Sequence, residues 1–209
     1  MAIDLVSADE LLTTTRAVRK RLDFSRAVSR ETILDCLRIS QQAPTGGNAQ
    51  GWRWIIVDDA DKRGEIAKLY QDAIGSRFTE ASAAARAAGD KQSARVYEGA
   101  QYLADHFHEV PIHAIACLEG SLPPQFASLA GSSIYPAVWS FQLALRARGL
   151  GSTLTTGLAL VSEEERSRVL GIPADVTVYA LLPVAYTIGT DFKPASRPPV
   201  DTIVHWNGW

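Results

Sequence analysis

Two stretches of this 209-residue chain carry more charge and hydrogen-bonding capacity than a connection between elements requires. The first is Arg16-Ala17-Val18-Arg19-Lys20-Arg21, with four cations in six residues. In a helix, Arg16 and Arg19 at i, i+3 would share a solvated face. In an irregular turn, their guanidinium forks and the neighbouring backbone N–H groups would converge on one anion. The second is Ala43-Pro44-Thr45-Gly46-Gly47-Asn48-Ala49-Gln50-Gly51-Trp52. Gly47 permits backbone conformations that a Cβ resists. Asn48 and Gln50 each carry an amide acceptor and a two-hydrogen donor, a set suited to the edge of a heterocycle. An ordinary loop closing a helix accounts for the same residues.

The elements that would position these stretches follow from periodicity and capping. Ser29 caps a helix with Glu31 in its first turn and Ile33, Leu34 and Leu37 as its apolar stripe; Pro44 stops the pattern. Trp54 to Val57 is a short apolar run that reads as a buried strand, followed by a turn over Asp58–Asp61 and a helix over 62–74. Residues 75–109 are alanine-rich, with high helix propensity and little to bury, which predicts a helical, loosely packed lid. His106 and His108 within it point to different helix faces, as structural histidines do, rather than forming a metal pair.

Pro111 to Leu118 supplies a further strand candidate, interrupted by His113, and Pro123-Pro124 marks a loop. Ser132 or Ser133 then caps a long helix through Arg148, with Pro136 in its first turn. Gly149-Leu150-Gly151 leads into a β-favouring run, Ser152 to Thr156, that ends at Gly157. Ser162 and Glu165 form a capping box over a helix closed by Gly171. Val176 to Tyr186 is a long strand in which Pro183 implies a bulge or an edge. The segment 187–209 is an extended arm holding Trp206 and Trp209, which should be docked on something.

The bulk composition is that of one globular domain over 1–209, with 46% hydrophobic and 21% charged residues. A net charge of −2 gives no reason to expect nucleic acid or an anionic membrane as partner. Cys36 and Cys117 have no metal or disulfide spacing and read as buried free thiols. With no signal pattern and no apolar span long enough for a bilayer, the expected setting is reducing and cytoplasmic.

Four separated features together resemble the FMN-dependent nitroreductase family, nearly end to end from Arg16 to Trp209. Arg16-Ala17-Val18-Arg19 is similar to that family's Arg-Ser-x-Arg phosphate turn. Ala43 to Trp52 is similar to its Ala-Pro-Ser-x-x-Asn-x-Gln-Pro-Trp signature. Leu145 to Gly157, with Arg148-Gly149-Leu150-Gly151 inside it, is similar to the Gly-Leu-Gly stretch and the strand end under the flavin. Ser196-Arg197-Pro198 resembles the C-terminal arginine that returns to the phosphate.

The resemblance implies an α+β fold, with a central, mainly antiparallel sheet flanked by helices. It also implies an intertwined homodimer with C-terminal arm exchange and FMN at the subunit interface. Arg16, Ala17, Arg19 and Arg197 would hold the FMN phosphate and ribityl chain. Pro44, Thr45, Gly46 and Asn48 would come from the other subunit, with Gln50 near the ring or ribityl. Thr156 and Gly157 would offer backbone N–H groups to flavin N5 and O4. NADH or NADPH would be the electron donor, and a nitroaromatic, quinone or activated alkene the small-molecule acceptor, in ping-pong order. No protein nucleophile, general base or metal is implied, since the flavin carries the chemistry.

This chain departs from the family pattern in three places: Ala17 replaces the serine, Gly51 replaces the proline after Gln50, and Thr15 replaces a further arginine. An FMN-sequestering protein with little turnover is the alternative from another class. Dehalogenating and flavin-cleaving branches are alternatives within the family. The Glu, Tyr and Lys set expected of the dehalogenating branch is not matched in order or spacing by Glu80, Lys91 and Tyr97.

Overall fold

A computed structural model describes residues 3–120 and 127–209; the Pro123-Pro124 loop expectation lies outside them. The helices are α1 (Leu5–Thr14), α2 (Arg30–Ser40), α3 (Ala60–Ile74), α4 (Arg77–Ala87), α5 (Lys91–Asp105), α6 (Ala127–Arg146) and α7 (Glu163–Leu170). Their starts follow local chemistry. Asp4, Ser29, Asp59, Asp90 and Ser162 each accept a hydrogen bond from a first-turn N–H. Gly171 ends α7 in the left-handed region at φ 65°.

The strands are β1 (Leu22–Asp23), β2 (Trp52–Val57), β3 (Ile112–Glu119), β4 (Leu150–Ser152) and β5 (Val176–Thr187). They pair antiparallel in the order β1-β5-β3-β2, with β4 also on β5. Successive side chains of a strand point to opposite faces, and here each face is covered by helices. Ile115, Cys117 and Leu181 pack with Ile66, Tyr70 and Phe107 on one side. Ala114, Ala116 and Leu182 pack with Ile33, Ile134 and Phe141 on the other. Burial of both faces explains why β3 reads as a continuous apolar run instead of an alternating one. This is the α+β, mainly antiparallel architecture that the sequence implied.

Three local expectations are corrected. Helix α6 begins at Ala127, so Pro136 lies in its interior and neither serine is its cap. Instead Ser132 Oγ donates to the Leu129 carbonyl at 2.8 Å. The Ser133 carbonyl accepts the Trp52 indole N–H at 2.9 Å, which ties α6 to β2. The β-favouring run after Gly151 stays in the ladder only to Ser152; beyond it, Thr155 makes an isolated bridge to Leu181, and a 3-10 turn begins at Gly157.

Pro183 sits inside β5, at neither a bulge nor an edge. It falls between the Ser152–Val184 and Thr155–Leu181 pairings, where the ladder toward β4 is interrupted and a backbone N–H is not needed. The register shift is elsewhere: Ala116 pairs with Ala180 and Cys117 with Val178, leaving Tyr179 as the extra residue.

Both cysteines are free and buried, and burial pushes each thiol up to about 11. His106 stacks on Tyr102 with ring centroids 4.3 Å apart, and the His108 side chain is exposed. His113 is fully buried on β3, opposite Val57 and Pro183. Its Nε2 donates to the Phe107 carbonyl at 2.9 Å, and its Nδ1 has no partner among the described residues. Burial foremost, with help from the Arg63 charge and against the pull of that carbonyl, brings its pKa from 6.5 down to about 4.

Between those two values the unfolded chain binds a proton that the folded chain does not, so folding stability falls as pH drops. The expected loss from this one residue between pH 6.5 and pH 4 is on the order of 3 kcal/mol. Urea unfolding across that range should show the slope in the wild type and a flatter profile in His113→Gln. Parallel profiles would assign the slope to other groups.

Candidate functional site

The cationic stretch is an irregular turn, which decides between its two readings. Helix α1 ends at Thr14, and Ala17 makes a parallel bridge to Ser152. The Val18 N–H donates to the Ser152 carbonyl at 2.9 Å. Gly151 is what lets the turn lie this close. A Cβ built on it would stand 2.7 Å from Thr187 Cγ2 and 3.0 Å from the Val18 side chain.

Docked in this way, the turn lines a cleft of about 540 Å³ with Arg16, Ala17, Arg19 and Lys20. Arg95 from α5 and Lys193 from the C-terminal segment complete its cationic wall. Arg16 Nη1 donates to the Lys193 carbonyl at 2.8 Å, and Arg21 pairs with Asp191 at 2.5 Å. Asp191 is the one acid among the lining residues. Arg16, Arg19, Lys20, Arg95 and Lys193 therefore have no carboxylate partner among the described residues. Burial holds the half-buried Arg19 guanidinium below its ordinary value, opposed by Tyr70.

Arg19 also lines a second space, an apolar cavity of about 320 Å³ walled by Tyr70, Phe78 and Tyr97. Its floor is the strand end Thr153 to Gly157. Here the chain approaches a ring: a Cβ on Gly157 would stand 2.3 Å from the Tyr70 ring. Tyr70 stacks in turn on Phe107, with centroids 4.6 Å apart, and its hydroxyl lies 3.0 Å from Thr155 Oγ1. The Gly157 N–H donates to that same Thr155 Oγ1 at 3.2 Å. Of the two backbone donors expected at this strand end, Gly157's is thus engaged within the chain. Thr156 is exposed, and its N–H has no acceptor among the described residues.

The second polar stretch lies elsewhere on the chain. Gly46–Asn48 forms a 3-10 turn, with Gly47, Asn48 and Gln50 at φ 59°, 54° and 50°. The left-handed region costs a residue with a Cβ roughly 1–2 kcal/mol, and glutamine has none of asparagine's tolerance for it. Local bonds hold the loop there. Gln50 Nε2 donates to Asn48 Oδ1 at 2.9 Å, and the Gln50 N–H donates to Thr45 Oγ1 at 3.2 Å. The Gly46 N–H reaches Ser133 Oγ at 3.3 Å. Thr45 and Gly46 line a recess of about 370 Å³ that shares no residue with the cationic cleft or the Tyr70 cavity. Pro44, Asn48 and Gln50 are exposed beside it.

Within one chain, then, Arg16, Ala17 and Arg19 come together with Thr156 and Gly157 through Arg19, which lines both spaces. Pro44, Thr45, Gly46, Asn48 and Gln50 do not join them. Arg197 is exposed, bonds only the adjacent Ser196 carbonyl and lines none of the three spaces. Lys193, four residues earlier, occupies the place at the cleft that the sequence assigned to it. Tyr70, Arg95 and Lys193 belong to no motif, and no local pattern in the sequence signalled them.

The profile of the Nitroreductase family matches residues 12–186, and the chain belongs to that family. Its relatives do different chemistry. An iodotyrosine deiodinase of Thermotoga neapolitana is 25% identical over 177 residues, 85% of this chain and 86% of that protein. A 5,6-dimethylbenzimidazole synthase of Rhodospirillum rubrum is 28% identical over 166 residues, 76% of this chain and 72% of that protein. The solved FMN- and NADPH-dependent nitroreductase NfnB from Sphigopyxis sp. strain HMH shares the fold, with a TM-score of 0.69 at 20% identity, covering 97% of this chain and 99% of that one.

The contact between Gly157 and Tyr70 gives a direct test of the cavity floor. Gly157→Ala should destabilise the fold by about 1–3 kcal/mol, the usual cost of overpacking. Combined with Tyr70→Ala it should cost less than the sum of the two single changes, because the second removes the ring that the new methyl meets. Additive effects in denaturant unfolding would show that the two do not touch.

Proposed function

We propose that this protein is an FMN-dependent oxidoreductase that accepts electrons from NADH or NADPH and delivers them to a nitroaromatic, quinone or activated alkene. One observation carries the reading: Arg19 lines both the cationic cleft and the aromatic-walled cavity. A ligand with a phosphate at one end and a flat ring system at the other matches that pair of spaces. The chain's own residues fit FMN in two further respects. Cations without carboxylate partners face the cleft, and Gly157 leaves a floor that a larger residue would disrupt.

Bound there, FMN would supply hydride and electron transfer. Arg16 and Arg19 would give the phosphate charge-assisted hydrogen bonds in fixed forks, and the Ala17 backbone would lie against it. The Thr156 N–H, free within the chain, is the donor available at the cavity floor toward N5 and O4. The Gly157 N–H becomes available only if Thr155 Oγ1 releases it. Phe78 and Tyr97, from the α4–α5 hairpin, would cover the cavity as the lid and exclude water.

A second copy of the chain completes the proposal. Pro44, Thr45, Gly46 and Asn48, with Gln50 beside them, would serve the partner's flavin, which gives a strained polar loop remote from its own cleft something to face. Exposed apolar side chains support a homodimer: Leu34 and Ile39 on α2, Leu129, Tyr135 and Trp139 on α6, and Trp206 and Trp209 on the arm. Arm exchange would dock those tryptophans and carry Arg197 toward a phosphate.

The acceptor class follows from the cavity wall. Of Glu80, Lys91 and Tyr97, only Tyr97 lines it, and the described lining holds no carboxylate and no ammonium group to grip a zwitterionic amino acid. That favours a neutral aromatic or quinone over the deiodinase-like reading.

Purified protein should be yellow, or become so with FMN, and should bleach anaerobically on addition of NADH or NADPH. A colourless protein that does not take up FMN overturns the proposal, while a yellow one that neither nicotinamide bleaches is a flavin-binding protein. Arg19→Ala should weaken FMN retention by about 1.5–3 kcal/mol. Tight FMN binding by a monomer would remove the shared-site element.

A further inference from the structure

We propose that Arg95 of α5 is a third ligand of the flavin phosphate, and that this contact ties the α4–α5 hairpin to the body of the protein when the flavin is bound. The inference rests on the cleft being the phosphate end of an FMN site.

The hairpin is fastened at one end only. Of α4, only Ser82 is buried, and it faces α5 through the Ala94 carbonyl. The buried residues of α5 that join the main core are Leu103 and Ala104, in its last turn. Burial of apolar side chains is the main force that holds a helix in place. The N-terminal half of α5, from Lys91 to Val96, buries only Ala94 and has little such anchorage.

That same half of the helix meets the cleft. Arg95 and Gly99 are four residues apart on one face, and both line it. At Gly99 the helix comes within van der Waals distance of Arg19: a Cβ there would lie 3.6 Å from Arg19 Cδ. One turn back, Arg95 is exposed, and its Nε donates only to the Lys91 carbonyl of its own helix, at 3.2 Å. The guanidinium is therefore committed to no carboxylate among the described residues, in a cleft whose one acid is paired with Arg21. The positive end of α5 is already capped by the Asp90 carboxylate, which accepts the Gln92 and Ser93 N–H groups and leaves Arg95 itself without an anion. A phosphate monoester, with three acceptor oxygens and nearly two negative charges, offers Arg95 a counter-charge and can bridge Arg16 and Arg19 on the body to Arg95 on the hairpin.

Two phosphates are candidates, that of FMN and the 2′-phosphate of NADPH, and the comparison of FMN with riboflavin separates them. Full-length wild type, Arg95→Ala and Arg95→Lys would be freed of flavin and titrated with each flavin by fluorescence quenching. Hydrogen exchange over residues 91–105 would be followed with and without each. Arg95→Ala is expected to bind FMN roughly ten- to hundred-fold more weakly than wild type and riboflavin equally well, with Arg95→Lys between. FMN, and not riboflavin, should slow exchange in 91–98 of the wild type and lose that effect in Arg95→Ala.

An equal loss for both flavins would make Arg95 a structural residue and overturn the inference. Unchanged FMN binding would do the same, whether or not the KM for NADPH rises. Wild type that binds FMN no better than riboflavin, or binds neither, would overturn the phosphate-site reading itself.

Discussion

A single backbone hydrogen bond organises the site, from the Val18 N–H to the Ser152 carbonyl at 2.9 Å. The cationic turn belongs to no helix and adds only Leu22–Asp23 to the sheet. Its position depends on the parallel bridge at Ala17 and on a glycine that leaves room for Val18. Ser152 is in turn the last residue of β4, held on β5 through its pairing with Val184. The guanidiniums are thus referenced to the central sheet through two short links. The cavity floor, Thr153 to Gly157, begins at the very next residue. One segment of chain sets both the charged and the apolar parts of the site.

The arrangement has an electrostatic cost that the fold does not offset by itself. Arg16, Arg19, Lys20, Arg95 and Lys193 share one cleft, and Asp191 is already paired with Arg21. Like charges gathered in one cleft repel, and burial makes the half-buried Arg19 less willing to be charged. Most of the local bonds they do make are to carbonyls, which satisfy donors without neutralising charge. The strained loop at Asn48 and Gln50 is a second cost of the same kind, borne in backbone geometry. Arg16, Arg19, Asn48 and Gln50, which bear part of each cost, sit at positions that the family motifs single out.

What the sequence disclosed divides along a physical line. Helix starts at Ser29 and Ser162 were legible because a cap is a contact between residues three apart. The strand β3 was legible because both of its faces are buried, and β2 because its half-buried residues form a short apolar run. The start of α6 was misread because Ser132 and Ser133 look like caps, whereas their hydroxyls bond back into a helix already under way. Pro183 was misread because the gap that tolerates it belongs to a neighbouring segment. The cations of the turn were visible as a motif. Arg95 and Tyr70 were not, since nothing within a few residues of either marks it; only the packing of α5 and α3 brings them to the site. Trp206 and Trp209 are exposed, so the expected docking of the arm is not made among the described residues of this chain.

The two cysteines bear on the company this protein would keep. Quinones are electrophiles that add to thiolates, and a thiolate is the form of cysteine that reacts. With both thiols pushed up to about 11, on the order of one molecule in ten thousand carries either as a thiolate at neutral pH. Cys36 lies on the buried face of α2 and Cys117 within β3, each with no exposed surface. Packing alone thus keeps both thiols away from an electrophile that reaches the surface of the protein.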